Sequence, residues 1–168
     1  MDDNVLLSVE NLRTYFHTRK GIVKAVDDVS FTVRRGRSLG LVGETGSGKS
    51  MTAFSIMGLL RDKNARIESG AIHYRTRDGQ VIDLTKLDPF SKEMRAIRGH
   101  EIGLIFQDSL SALNPVYTIG FQIVENILNN CDVSRKEAQE RAIQLLIDVG
   151  INAPQKRIKQ YPHELSGG

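Results

Sequence analysis

The 168-residue chain has a single cysteine, Cys131. One thiol excludes an internal disulfide and leaves no cysteine-rich zinc cluster. Cys131 is expected to pack as a small apolar residue on a helix. Long apolar runs are also lacking. No stretch approaches the roughly 20 residues that cross a bilayer as a helix. The start, Met1-Asp2-Asp3-Asn4, is polar and acidic, unlike a signal peptide. Membrane association is therefore expected to come through a protein partner. Charge of one sign is scarce as well. The 23 Lys and Arg against 20 Asp and Glu leave a net +3 and a pI near 9.1, too weak a bias to argue for nucleic acid. Arg34, Arg35 and Arg37 around Gly36 read as a solvated hairpin end. His17, His73 and His100 have no metal-ligand spacing, and Asp27-Asp28 reads as a turn or exposed edge rather than a catalytic pair. There is no internal repeat or low-complexity linker. The 40% hydrophobic and 26% charged content is ordinary for a globular domain.

What the chain does have is Gly43-Glu44-Thr45-Gly46-Ser47-Gly48-Lys49-Ser50. This is the full phosphate-loop pattern, a glycine, four residues, then Gly-Lys-Ser. Leu39-Gly40-Leu41-Val42 before it reads as a buried strand. Ala53, Ile56, Met57 and Leu60 after it share one helical face. The motif thus lies between a strand and a helix N-terminus. Glycines let the backbone wrap closely, and the free amides of a helix start point at phosphate. Lys49 has the reach for β- and γ-phosphates, and the Ser50 hydroxyl suits Mg²⁺.

The rest of the chain reads as follows. Val5–Arg13 is expected as an edge strand and Ile22–Val33 as a second. Glu68–Thr76 and Gln80–Leu84 flank the hairpin signal Asp78-Gly79. Residues 89–98 suggest a short helix, and Ile102–Phe106 a core strand ending at Gln107. Phe121–Asn130 and Ser134–Val149 are expected helices. The second carries a capping box, Ser134 with Glu137, and an apolar face of Ala138, Ala142, Leu145, Leu146 and Val149, with Gly150 as the stop. The fold class is α/β: a P-loop (RecA-like) core with an antiparallel β region, spanning residues 1–107. A helical subdomain is expected to start near residue 108 and to be cut off at 168.

Two further motifs bring in a resemblance. Pro162-His163-Glu164-Leu165-Ser166-Gly167-Gly168 resembles the start of the signature motif of ABC-type ATPases, and Gly103-Leu104-Ile105-Phe106-Gln107-Asp108 resembles their Q-loop. Each is weak alone; the three motifs in order are specific. Residues 106–120, with Leu113-Asn114-Pro115, and 161–168 resemble the oligopeptide/dipeptide (and nickel) importer ATPases. The likeness runs from the first strand to residue 168. One departure is Ser109, where members often carry proline, which bears on the stiffness of that loop and not on the family. The resemblance implies that the Walker B aspartate, the catalytic glutamate, the D-loop and the switch histidine lie outside these residues.

It further implies ATP and Mg²⁺ as ligands. Phosphates would lie on Gly43 to Ser50 with Thr52 in the following turn, and Mg²⁺ between Ser50 and Gln107. Gln107 would also meet the attacking water. Ser166 and Gly168 would face nucleotide bound to a second ATPase subunit, identical or related. An aromatic after the first strand stacks on adenine in this family. Counting from Asn11 to Ala25 selects Phe16 over Tyr15, the alternative being that Phe16 only covers the β region. His163 belongs to the family block without an assigned chemistry. The other implied partners are membrane-spanning permease subunits and, indirectly, a solute-binding protein, with the ATPase peripheral on the cytoplasmic face of the inner membrane. Two alternatives stand: a non-functional remnant or fragment of such a subunit, and a DNA-repair ABC ATPase. The latter typically carries coiled-coil or zinc-bearing insertions between phosphate loop and signature, and no heptads occur here.

Overall fold

The computed structural model describes residues 2–60, 62–107 and 112–165. The chain divides into two compact units, one up to Ile102 and one from Gly103. The first is built on a four-stranded antiparallel sheet. β1 (Val5–Thr18) and β2 (Gly21–Arg34) form a long hairpin. β3 (Ala65–Arg75) returns on the other side of β1, and β4 (Val81–Asp83) pairs with β3. The strand order is β2-β1-β3-β4. β1 is therefore central, not the edge strand its terminal place in the chain suggests. The turn at Arg19-Lys20 folds β2 onto one edge, and β3 takes the other. Strand pairing is decided by what the rest of the chain brings alongside, which alternation does not report.

The sheet is bent by bulges. In β1 the extra residue falls at Asn11, which has φ 49°. A Cβ on Gly70, across from it, would lie 2.7 Å from the Asn11 and Glu10 carbonyl oxygens, so only glycine permits this approach. In β2 one extra residue falls between Val29 and Val26, and another is Ala25, between the rungs Thr14↔Val26 and Tyr15↔Lys24. One face of the sheet is covered. Val9, Leu12, Val26, Ile72 and Tyr74 pack with Leu84, Met94 and Ile97 in one buried cluster.

After β4, Ser91 caps α2 (Lys92–Ala96), its hydroxyl accepting from the Met94 amide at 3.1 Å. The helix expected at 89–98 thus starts later, because the cap sits at Ser91. It runs on as a π-helical turn, Ile97–Glu101. Glu101 accepts a hydrogen bond of 2.9 Å from the Tyr74 hydroxyl.

The two expected core strands do not form. Residues 39–42 and 102–106 are in no strand, Val42 is 94% exposed and Ile105 93%. A strand exists by pairing, and the described strands pair only among themselves.

In the second unit, α3 (Ile119–Asn130) and α4 (Arg135–Asp148) pack through Val124, Ile127, Ala138 and Ala142. Thr118 and Ser134 cap their starts through the Phe121 and Glu137 amides. Gly150, at φ 77°, follows the end of α4. The apolar face of α4 is narrower than expected: Leu145 is 48% and Val149 71% exposed, because the neighbour covers only the Ala138–Ala142–Leu146 line. Cys131 is not packed on a helix either; it is exposed just past the end of α3. Among the described residues, no helix is long and apolar enough to cross a membrane.

Candidate functional site

The phosphate-loop sequence builds a tight turn that leads into α1 (Lys49–Ile56). Gly46 and Gly48 have φ of 85° and 89°, which L side chains rarely adopt. The turn closes by the Ser47 amide donating to the Glu44 carbonyl at 3.2 Å. Gly48 is the N-cap, with no side-chain cap, and no acidic residue lies in the first turn of α1. The first-turn amides of a helix have no intrahelical acceptor, so here they are left to an anion.

Lys49 folds back over this turn. Its ammonium donates to the Gly43 and Glu44 carbonyls, both at 2.7 Å, and to Ser47 Oγ at 3.2 Å. All three N–H bonds are spent and the positive charge is held above the loop. Gly43 leaves room for this: a Cβ there would lie 2.6 Å from Ser47 Oγ. Ser50 is exposed at the helix start. Thr52 is buried, its hydroxyl donating back to the Gly48 carbonyl at 3.1 Å. The loop therefore fits a phosphate chain: glycines at positive φ that close the turn, open amides and a seated cation.

Sequence reasoning missed how the loop is anchored. The apolar face expected on α1 is only half-buried at Ala53 and Ile56. The buried positions are Thr52 and Ser55, followed by Met57. Ser55 Oγ lies 2.8 Å from Thr14 Oγ1 on β1, both side chains buried. Gly48 rests on β2: a Cβ there would come within 2.1 Å of the carbonyl oxygen of Ala25, the bulge residue. Small polar residues let helix and sheet approach closely, and a search for apolar periodicity passes over them.

β1 alternates regularly through Leu12, Thr14 and Phe16. Leu12 and Thr14 are fully buried on the side facing α1, and Phe16 shares their parity. Phe16 is half-buried, opposite Val23 on β2 and Ala65 on β3. Tyr15 faces the other way. Its hydroxyl hydrogen-bonds Asp27, and Lys24 lies 5.4 Å from its ring centre. The Tyr15 hydroxyl, then Lys24, hold the Asp27 carboxyl below its ordinary range. Arg13 pairs with Asp27 and Asp28, so both carboxylates are engaged at the surface.

Gln107 is exposed and belongs to the second unit. Ser166 and Gly168 lie outside the described residues, as do Asp108 and Ser109.

A family model described as ABC transporter matches residues 26–168. The chain belongs to the ABC transporter family. Among curated relatives, this ABC transporter chain is 48% identical over its full length to a Brucella abortus protein named for peptide import and ATP binding. It is 45% identical over 97% of its length to the dipeptide transport ATP-binding protein DppD of Bacillus subtilis. It spans about half the length of these relatives, 49% and 47%. Among solved structures it resembles the dimeric ATP-binding cassette MJ0796, in a post-hydrolysis state with ADP and phosphate. That match has a TM-score of 0.78 at 22% identity and covers 96% of this chain and 63% of that one. The likeness establishes the P-loop ATPase fold.

Proposed function

We propose that the chain is the ATP-binding part of an importer ATPase for peptides or a similar small solute. The observation that carries this reading is the phosphate loop. Its amides open at the start of α1, Gly46 and Gly48 hold the positive φ that the turn needs, and Lys49 is seated on its carbonyls. The names of the relatives support the solute class.

In this reading residues 43–50 take the phosphates, Ser50 is a Mg²⁺ ligand, and Phe16 supplies the face for adenine. Phe16 is favoured over Tyr15 because it shares the α1 side of β1, while Tyr15 is bound to Asp27 on the opposite side. A second ATPase subunit would present its Ser166 and Gly168 to this nucleotide, and membrane-spanning subunits would take up the motion. The site would work at the cytoplasmic face of the inner membrane. Gln107 orients water, but an amide is a poor base. Asp83 is occupied by Thr85 and Lys86. Residues 1–168 by themselves are thus proposed to bind nucleotide and not to turn it over.

Equilibrium binding of Mg-ATP to the wild-type and Lys49→Ala chains tests the reading. Removing a charge-assisted phosphate contact should cost at least about tenfold in affinity. Equal affinity of the two chains would refute the assigned site.

A further inference from the structure

Beside the apolar packing of Met51 and Ile56 on the core, two close contacts tie the sheet to the phosphate loop and its helix, and the nucleotide-binding motif names neither Ala25 nor the Thr14–Ser55 pair. One is the seat of Gly48 on the Ala25 carbonyl. The other is the buried hydroxyl pair Thr14–Ser55. Ser55 donates its single hydroxyl proton to the Met51 carbonyl at 2.7 Å, one turn back in α1. Its lone pairs are left to accept from Thr14 at 2.8 Å. Thr14 is 0% exposed and Ser55 3%, so water does not substitute for either partner.

We propose that Thr14 is a positioning residue that holds the strand carrying Phe16 in fixed register against the helix carrying Lys49. A nucleotide would then be gripped at base and phosphates together. The inference rests on the reading of residues 43–50 as phosphate site and of Phe16 as base platform. Phe16 follows Thr14 by two residues on the same face of β1. The rungs run Thr14↔Val26, Tyr15↔Lys24, Phe16↔Val23, with the Ala25 bulge between the first two. The strand end bearing Phe16 thus leaves the sheet-to-helix contact directly after its two fixed points. Apolar contacts tolerate a slide of a few tenths of an ångström. A buried hydrogen bond is directional and does not. Such a slide would leave the phosphate loop intact and move the ring relative to it.

The test compares ATP with inorganic tripolyphosphate, which has the phosphates and no base. Both are titrated into the full chain by calorimetry. Thr14→Val keeps the side-chain shape and removes the donor. It should weaken ATP by about fivefold, the factor carried by one ordinary hydrogen bond, and leave tripolyphosphate affinity unchanged. Thr14→Ser restores the donor and should keep the wild-type ATP affinity. Ser55→Ala removes the acceptor instead and should reproduce the selective loss, which guards against a valine chain that folds badly. Equal losses for both ligands would overturn the proposal, since Thr14 would then only support the loop. No loss for ATP would overturn it too. Phe16→Ala separates the two levels. If it fails to lower the ATP-to-tripolyphosphate affinity ratio, the base platform falls and the inference with it. If it lowers the ratio while Thr14→Val and Ser55→Ala do not, the inference alone is wrong.

Discussion

Gly48→Ala is the most sharply determined perturbation in this chain. Its φ of 89° costs an L residue about 1–2 kcal/mol of backbone strain. The added Cβ would also stand 2.1 Å from the Ala25 carbonyl oxygen. That atom is backbone, in a bulge between two paired rungs, and has no rotamer to escape into. Loop or strand must shift, at about 1–3 kcal/mol by analogy with overpacked cores. Gly46→Ala is the internal control. It has nearly the same φ, 85°, and nothing within 4 Å of its Cβ, so it carries the strain without the collision. Both variants should weaken Mg-ATP, because the binding-competent loop must be recovered at each event. Gly48→Ala should lose a further factor of about ten relative to Gly46→Ala, since 1.4 kcal/mol is tenfold. Titration calorimetry on both variants reads the difference directly. Equal losses would show that the seat of the loop on β2 has no part in binding, and the account of how the site is anchored would fail.

Three other outcomes are expected. Ser50→Ala should weaken ATP binding with Mg²⁺ present and hardly at all in EDTA; equal loss in both would remove Ser50 from the metal. The purified 168-residue chain should show no Mg-dependent phosphate release above the Lys49→Ala background, and steady release abolished by that substitution would contradict the reading. The Tyr74 hydroxyl is pushed up to about 12, by burial first and then by its hydrogen bond to Glu101. The folded state thus holds the proton more tightly than the unfolded chain, whose value is near 10. Stability from this group is full below pH 10 and is lost as pH rises from 10 to 12, on the order of 2 kcal/mol in all. Denaturant unfolding at pH 9 and 11.5 should show that loss in wild type and not in Tyr74→Phe; the same slope in both would assign it elsewhere.

In the second unit the start of α4 was legible to the residue, whereas α3 starts at Ile119, two residues before the expected Phe121, because its cap is Thr118. Ser134 caps α4 where the pattern Ser-x-x-Glu puts it, because a cap is local chemistry over four residues. The outer line of α4 was less so, since how wide a stripe is buried depends on the neighbour. The hairpin turn around Asp78-Gly79 was plain for the same local reason, with Gly79 at φ 88°. The start of the helix near residue 89 was set by Ser91, a cap that a reading of apolar period overlooks.

For the phosphate loop the sequence alone determined nearly everything that matters. Glycines at Gly46 and Gly48, a lysine within reach of the carbonyls and a helix start are properties of eight consecutive residues. Their backbone preferences are short-range and are written in the residue types. The tertiary structure alone decided the rest. It made β1 central by bringing β3 to its free edge. It left residues 39–42 and 102–106 out of any strand, since an apolar run becomes a strand only where another backbone pairs with it. It also set Thr14 against Ser55 and Gly48 against Ala25, contacts between residues 41 and 23 positions apart in the chain. Such contacts come from the mutual fit of sheet and helix, which no local pattern in either segment encodes.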